Sequence, residues 1–181
     1  MNIMKRGLLA VSALAIVGGT AGGLLASSAG AAPRAGIEVI HATQYSVGGG
    51  LSVGPWTSSR GPVTGPGNAT DIPSRPLDPP NSGRTTLVDP NGSITVLHTG
   101  GTFVPGRENP FTCAFTGRVN GVNVTIVRGT GDYRNATGNL LANVRIQGTQ
   151  PRRINGTCNF NANNSAFETD SITAVGFVNL H

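Results

Sequence analysis

The sequence predicts an all-β protein, an antiparallel barrel or sandwich, preceded by a cleavable leader. Seven or eight short segments alternate apolar and polar residues, and turns rich in Gly, Asn and Asp separate them. This pattern is typical of antiparallel all-β domains. No segment shows a sustained helical period, and two cysteines are available to cross-link one small core.

The first 31 residues have the layout of a secretory signal peptide. Lys5 and Arg6 precede the apolar run GLLAVSALAIV, and Ala29-Gly30-Ala31 fits a small-residue cleavage site. The alternative is an uncleaved membrane anchor, which needs about 20 apolar residues. Glycine pairs interrupt the run before that length, and nothing downstream is apolar enough to span a bilayer. We therefore predict a signal peptide over residues 1–31, cleavage after Ala31 and a secreted protein.

The charge pattern argues against a nucleic-acid partner. The chain has 13 basic and 8 acidic residues, and loss of the leader leaves only arginines as basic residues and a net charge of about +3. These arginines are scattered, and only Arg152 and Arg153 are adjacent. No dense basic patch of the kind that binds nucleic acid is present in the sequence. The lysine-free mature chain and the Ala- and Gly-rich leader indicate a bacterial source.

Cys113 and Cys158 are predicted to form a disulfide. An even cysteine count in an exported chain favours a bridge. Each cysteine alternates in register with apolar residues, Cys113 in FTCAFTGRV and Cys158 in RINGTCNF. We therefore expect both to project from the apolar faces of their strands and to meet inside the core. A metal pair is the alternative, but two cysteines this far apart without a neighbouring histidine match no usual ligand spacing.

The first strand of the domain is predicted within residues 32–47. In IEVIHATQYSV, one face would carry Ile37, Val39, His41, Thr43, Tyr45 and Val47. We expect this face to point into the core. His41 and Tyr45 are therefore candidate residues of the barrel interior, although a buried histidine with satisfied hydrogen bonds is the commoner explanation for His41.

Residues 48–83 differ in composition from the rest of the domain. Fifteen of these 36 residues are Gly or Pro, which excludes a helix and disfavours a central strand. We predict a long surface loop or insert. Trp56 is its notable large apolar residue, and it either pins the loop to the body or lies at a ligand entrance.

The remainder of the domain, residues 84–181, is predicted to contain closely spaced strands. RTTLVD and SITVLHT flank the turn Asp89-Pro90-Asn91-Gly92. FTCAFTGRV and VNVTIVR flank Asn120-Gly121, which predicts a two-residue hairpin. NLLANVRIQGT follows, with Leu140, Ala142, Val144 and Ile146 on one face; RRINGTCNF and SITAVGFVNL complete the chain.

No catalytic constellation is recognisable in the sequence, which favours a non-catalytic protein. The serines lack a nucleophile-elbow motif, no pair of carboxylates has a spacing that suggests a glycosidase, and metal ligands are sparse. We predict no cofactor and no metal site. If the protein is an enzyme, the candidate residues are His41, Tyr45 and Arg145.

The glycine-rich stretch RGTGDYRNATGNL, residues 128–140, predicts a corner of the fold rather than a phosphate site. A dinucleotide fingerprint needs glycine where Arg134 stands, and a helix must follow, whereas NLLANVRI alternates like a strand. Gly129 and Gly131 would permit a sharp bend or bulge. Tyr133 and Ala136 would pack beneath it, and Gly138 would start the next strand.

The sequence of this stretch, together with the strands before and after it, is similar to a known family of proteins. TCAFTGRV followed by NVTIVRGTGDYRNATGNLLANV resembles small exported bacterial proteins similar to the allene oxide cyclase and dirigent superfamily. The matching positions are Cys113, Gly129, Thr130, Gly131, Tyr133, Ala136, Thr137 and Gly138. The resemblance implies an eight-stranded antiparallel up-and-down barrel of calycin type with a tapering, mostly apolar interior.

Three functions follow as alternatives. The first is a secreted, non-catalytic barrel that binds a small apolar ligand, since barrels of eight strands can enclose one small molecule. The second is an extracellular surface or interaction protein that uses the Pro/Gly-rich segment 48–83. The third is a cyclase- or dirigent-like enzyme acting on a reactive small molecule. A cavity of several hundred Å³ would favour the first or third, and a filled interior the second.

Overall fold

The computed structural model describes residues 34–160 and 165–181, so the predicted signal peptide lies outside the described residues. No helix long and apolar enough to cross a membrane occurs within these two ranges. The ordered elements there are strands, namely β1 Arg34–Val47, β2 Val53–Arg60, β3 Gly67–Ile72, β4 Gly83–Asp89, β5 Gly92–Glu108, β6 Ala114–Gly131, β7 Thr137–Thr149 and β8 Phe167–Leu180.

The eight strands form a closed ring in which each strand pairs with its neighbours in sequence. All pairs are antiparallel, and β8 returns to β1 with a continuous register from Leu180 opposite Arg34 to Phe167 opposite Val47. The prediction of an all-β antiparallel fold is therefore confirmed. Closure leaves no sheet edge unpaired, which selects a barrel over the sandwich that the strand pattern also allowed.

Side chains of β1 alternate between the interior and the outside of the barrel, and the face that points inward is opposite to the predicted one. The interior positions are Glu38, Ile40, Ala42 and Gln44, while His41 and Tyr45 lie on the exposed outer face. The prediction that His41 and Tyr45 point into the barrel is wrong. Both faces of β1 carry apolar residues, so the alternation alone did not fix which one faces the core. If the predicted inward face is shifted by one residue, every side chain of the strand is assigned to the wrong side of the sheet.

Residues 48–83 do not form one long loop. They contain β2 and β3, separated by short connections. Two local features permit this. Gly54 lies so close to the Thr43 carbonyl of β1 that any side chain would collide with it, and Pro55 falls in a gap of the β1–β2 register between Val53 and Trp56. The Gly and Pro residues that argued against strands therefore accommodate close strand packing here.

Asn120-Gly121 does not form a hairpin. Both residues lie inside β6, which continues past them. On the β7 side the register passes from Val119 opposite Val144 to Val122 opposite Ala142, so two residues of β6 face one of β7. This is a β-bulge, and the positive φ of Gly121 (71°) fits it. The connection between β5 and β6 is formed instead by residues 109–113.

The segment RRINGTCNF is a loop rather than a strand. Within it, Arg152 and Cys158 form an isolated antiparallel β-bridge. The predicted disulfide between Cys113 and Cys158 is present, with a Cα–Cα distance of 5.2 Å. It does not lie in the barrel core as expected, because Cys113 precedes β6 and Cys158 lies in the loop after β7. The bridge thus joins two loops at one end of the barrel.

A candidate ligand-binding cavity

The barrel encloses a cavity of about 310 Å³ with mostly apolar walls. All strands except β2, together with Val63 of the β2–β3 connection, contribute to it. Its apolar lining includes Ile40, Ala42, Val63, Ala69, Leu87, Ile94, Val96, Val119, Val122, Val124, Ile126, Leu140, Ala142, Val144, Ile146, Ile172, Ala174 and Val178. Ligand cavities of proteins have volumes of about 300–1,000 Å³, so this cavity has room for one small molecule.

One end of the barrel, which we call the closed end, is filled by side chains. It contains the 61–66 and 132–136 connections and the β4–β5 turn. Trp56, Val63 and Tyr133 are almost completely buried there. The Trp56 indole N–H donates a hydrogen bond of 3.3 Å to the Val88 carbonyl. Trp56 therefore packs into the barrel end, as expected for a residue that pins its segment to the body.

Glu38 attaches the 61–66 connection to the closed end. Its carboxylate is fully buried and accepts hydrogen bonds from the Val63 amide (2.9 Å) and from the Ser58 hydroxyl. Burial raises the pKa of Glu38 despite these donors. Glu38 therefore holds the 61–66 connection in place. Because it is fully buried, it is not accessible to a ligand.

The corner stretch 128–140 completes the closed end. β6 ends at Gly131 and β7 begins at Thr137, and a side chain at Gly129 would collide with the Tyr133 carbonyl. Tyr133 and Ala136 are buried beneath the corner. The Tyr133 hydroxyl hydrogen-bonds with the Asp89 carboxylate and with Thr64. Gly138 follows in β7, where its neighbours include Val178 and Ile126. Of this stretch, Gly129, Tyr133, Ala136 and Gly138 do not line the cavity, whereas Leu140 does.

At the opposite end, the open end, the interior residues are partly accessible. Val178 and Leu140 are buried near the closed end, whereas His98, Ile146 and Asp170 are only half-buried and Gly100 is exposed. This gradient along the interior shows where solvent enters. The open end also carries the disulfide-linked loops.

Polar side chains gather at the open end of the cavity. Asp71 on β3 accepts hydrogen bonds at its Oδ1 atom from Gln44 Nε2 (3.1 Å) and Thr85 Oγ1 (2.6 Å). Both donors are buried residues that also line the cavity. The Asp71 carboxylate is therefore held by two neutral donors from the neighbouring interior positions of β1 and β4.

Asp170 on β8 lies opposite Gln44 in the strand register and faces the same end of the cavity. Its Oδ1 atom is buried and has no hydrogen-bond partner among the described residues. Burial raises the pKa of Asp170 to about 7, and the charge of Glu168, a hydrogen bond with the Glu168 side chain and the charge of Asp71 act in the same direction. Glu168 itself accepts a hydrogen bond of 3.0 Å from Ser165.

His98 on β5 completes this group. Its ring covers Gly83, where a side chain would collide with the imidazole. Burial lowers the pKa of His98, opposed by the nearby charge of Asp71. Neutral imidazole is therefore the main form at pH 7. We call Gln44, Asp71, Thr85, His98 and Asp170 the polar rim.

The residues predicted as catalytic candidates lie elsewhere. His41 is on the outer surface, within 3.3 Å of Thr173 and of Ser59. Tyr45 and Arg145 are also exposed on the outside. The part of the chain that the structure describes contains no group of three or more His, Cys, Asp or Glu side chains placed to hold a metal ion.

The polar rim was not predicted from the sequence, although a signal for part of it exists. Asp170 stands two residues before Ile172 and four before Ala174, so it shares their interior face. The same reasoning on β5 places His98 in line with Ile94 and Val96. Asp71 carried no such signal, because β3 itself was not predicted.

The chain was compared with protein-family models, with curated proteins and with solved structures, and none of the three comparisons finds a match.

Proposed function

We propose that this protein is a secreted, non-catalytic barrel that binds one small, mostly apolar molecule. The observation that carries the proposal is the cavity of about 310 Å³ with apolar walls and a polar rim at its accessible end. Ligand sites of proteins are typically of this kind, apolar with a few polar groups that orient the ligand. If the barrel were only a structural scaffold, side chains would be expected to fill its interior.

Secretion is supported by two independent features. The first 31 residues have the pattern of a signal peptide, and the disulfide between Cys113 and Cys158 is typical of proteins from oxidising compartments. The relationship to the allene oxide cyclase and dirigent superfamily is likewise part of the proposal, and the corner stretch 128–140 supports it.

A cyclase- or dirigent-like enzyme is the second candidate. It is favoured by the titratable groups with shifted pKa values beside the cavity, Asp170 and His98, because such groups are common in active sites. In that case the reacting groups would belong to the polar rim and not to His41, Tyr45 or Arg145. Turnover of a phenolic or oxylipin substrate that Asp170→Asn abolishes would favour this candidate.

Native mass spectrometry of the protein purified from culture medium, followed by solvent extraction, tests the proposal. We expect a chain that begins at Ala32, contains one disulfide and either carries an extractable apolar molecule or takes up added 1-octanol at a ratio of one to one. A chain that retains residues 1–31 would contradict secretion by cleavage. A protein that carries no small molecule and takes up no octanol would contradict the binding function.

A further inference from the structure

The polar rim contains one acid with a buried carboxylate oxygen that has no hydrogen-bond partner among the described residues. Asp71 is held by Gln44 and Thr85, at 3.1 and 2.6 Å. By contrast, the buried Oδ1 atom of Asp170 has no partner among the described residues, although Asp170 lines the cavity. A buried, unpaired acceptor is costly, and a ligand group that donates a hydrogen bond to it would remove that cost.

The charges around Asp170 indicate which donor fits. The acidic groups nearest to it are Glu168 on its own strand and Asp71 on β3. His98 on β5 is mainly neutral at pH 7. No Lys or Arg side chain lines the cavity in the described part of the chain. This end of the cavity therefore repels an anionic group and attracts a cationic one.

We propose that the ligand is an amphipathic amine, whose ammonium group pairs with Asp170 while its alkyl or aryl part fills the barrel. This inference rests on the proposed binding function and adds the chemical class of the ligand. A charge-assisted hydrogen bond to a carboxylate is stronger than one between neutral groups. The apolar walls supply the rest of the binding energy through burial of the hydrocarbon.

The pairing predicts a dependence of affinity on pH. An ammonium group pairs with the ionised form of Asp170, so binding requires release of the proton that this acid holds at low pH. With a pKa of about 7 for Asp170, the ionised fraction increases about tenfold between about pH 6 and pH 8, and the apparent affinity follows this fraction. An alkylamine, with a pKa near the 10.4 of lysine, stays charged throughout that interval.

Titration calorimetry with octylamine, 1-octanol and octanoate tests this inference, because the three probes share one hydrocarbon chain and differ in the end group. At pH 8 we expect octylamine to bind at least about tenfold more tightly than 1-octanol and octanoate to bind most weakly. The octylamine affinity should increase about tenfold from about pH 6 to pH 8, and the octanol affinity should not.

Asp170→Asn removes the charge while keeping the shape, and Asp132→Asn is the matched control because Asp132 is exposed at the closed end. The amine preference and its pH dependence should vanish in Asp170→Asn and persist in Asp132→Asn. If Asp170→Asn fails to fold, the pH dependence of octylamine binding to the wild-type protein tests the inference instead. Octanol binding as tightly as octylamine, or an amine preference that survives Asp170→Asn, would overturn the inference and leave the binding function intact. No binding of any probe would overturn both.

Discussion

The Gln44 side chain on β1 donates a hydrogen bond of 3.1 Å to Asp71 on β3, although β2 lies between these strands in the ring. The bond crosses the interior of the barrel at its open end. The Asp71 oxygen that accepts it also accepts the Thr85 hydroxyl. Two donors of the protein therefore hold one oxygen of Asp71, whereas the buried Oδ1 atom of Asp170 has no hydrogen-bond partner among the described residues.

The state of Asp170 should make stability depend on pH. Its pKa rises from 3.8 to about 7 on folding, so between about pH 4 and pH 7 the folded protein keeps a proton that the unfolded chain releases. The contribution of Asp170 to the free energy of unfolding therefore decreases as pH increases through this interval. Glu38, with a raised pKa, acts in the same direction, and His98, with a lowered pKa, acts in the opposite one.

Comparison with variants isolates the contribution of Asp170. Urea unfolding at a series of pH values should show a weaker decrease for Asp170→Asn than for the wild type, and higher stability of this variant at pH 8. Asp132→Asn should keep the wild-type pH dependence. Parallel curves for the wild type and Asp170→Asn would exclude a protonated Asp170 in the folded protein.

Tyr133→Phe should destabilise the closed end. The variant removes the hydroxyl that hydrogen-bonds with the buried Asp89 carboxylate and with Thr64. Loss of a partner for a buried polar group costs about 1–3 kcal/mol. Tyr45→Phe is the control, since Tyr45 is 43% exposed, and it should change the free energy of unfolding by less than about 0.5 kcal/mol. Equal effects of the two variants in urea unfolding would contradict the role of Tyr133.

Gly129→Ala should also be destabilising, because a Cβ atom at this position would collide with the Tyr133 carbonyl. We expect a loss of about 3 kcal/mol, near the upper end of measured overpacking costs. Gly36→Ala provides the control within β1, where the nearest atom to a new Cβ is 4.0 Å away. Thermal unfolding of both variants checks this. A Gly129→Ala variant as stable as Gly36→Ala would argue against a corner of this geometry.

The disulfide should stabilise the fold through the unfolded chain. Cys113 and Cys158 are separated by 45 residues in sequence, and the chain-entropy model gives roughly 4 kcal/mol for a loop of this length. We expect the Cys113→Ser, Cys158→Ser double variant to lose stability of this order in urea unfolding. Because the bridge lies in loops outside the barrel wall, the folded fraction should still bind 1-octanol. Loss of octanol binding by the folded double variant would show that the disulfide-linked loops determine the shape of the cavity.

The strand pattern predicted the fold class because most of the strands alternate strictly. On β7, Leu140, Ala142 and Val144 were predicted to share a face, and all three line the cavity. On β1 the pattern was ambiguous, since Ile37 and Ile40 lie on opposite faces and Glu38 is inside. A glutamate predicts an outer position, and sequence spacing does not reveal the Ser58 and Val63 donors, far along the chain, that satisfy it inside the barrel.

The remaining errors have a common cause in local signals that tertiary contacts override. Asn120-Gly121 is a strong hairpin signal, but it forms a bulge because β6 pairs along its length with both β5 and β7. The Pro/Gly-rich segment forms β2 and β3, which pair with β1, with each other and with β4. The polar rim combines side chains from the five strands β1, β3, β4, β5 and β8, and sequence spacing does not show that they meet.

If the barrel interior is a binding site, a variant that fills the cavity should weaken ligand binding. Ala142 is buried and lines the cavity, so Ala142→Phe would place a ring in the space proposed for the ligand. Gln147→Phe adds the same ring to the outer face of the same strand, where Gln147 is exposed. Both variants should fold, and thermal unfolding confirms it before binding is measured.

The decisive measurement is a calorimetric titration of 1-octanol into the wild type and these two variants at pH 8. We expect one saturable site in the wild type and in Gln147→Phe, and binding weakened at least about tenfold in Ala142→Phe, a loss of about 1.4 kcal/mol. Saturable binding that Ala142→Phe leaves unchanged, or no binding to the wild type, would contradict a binding site in the barrel interior.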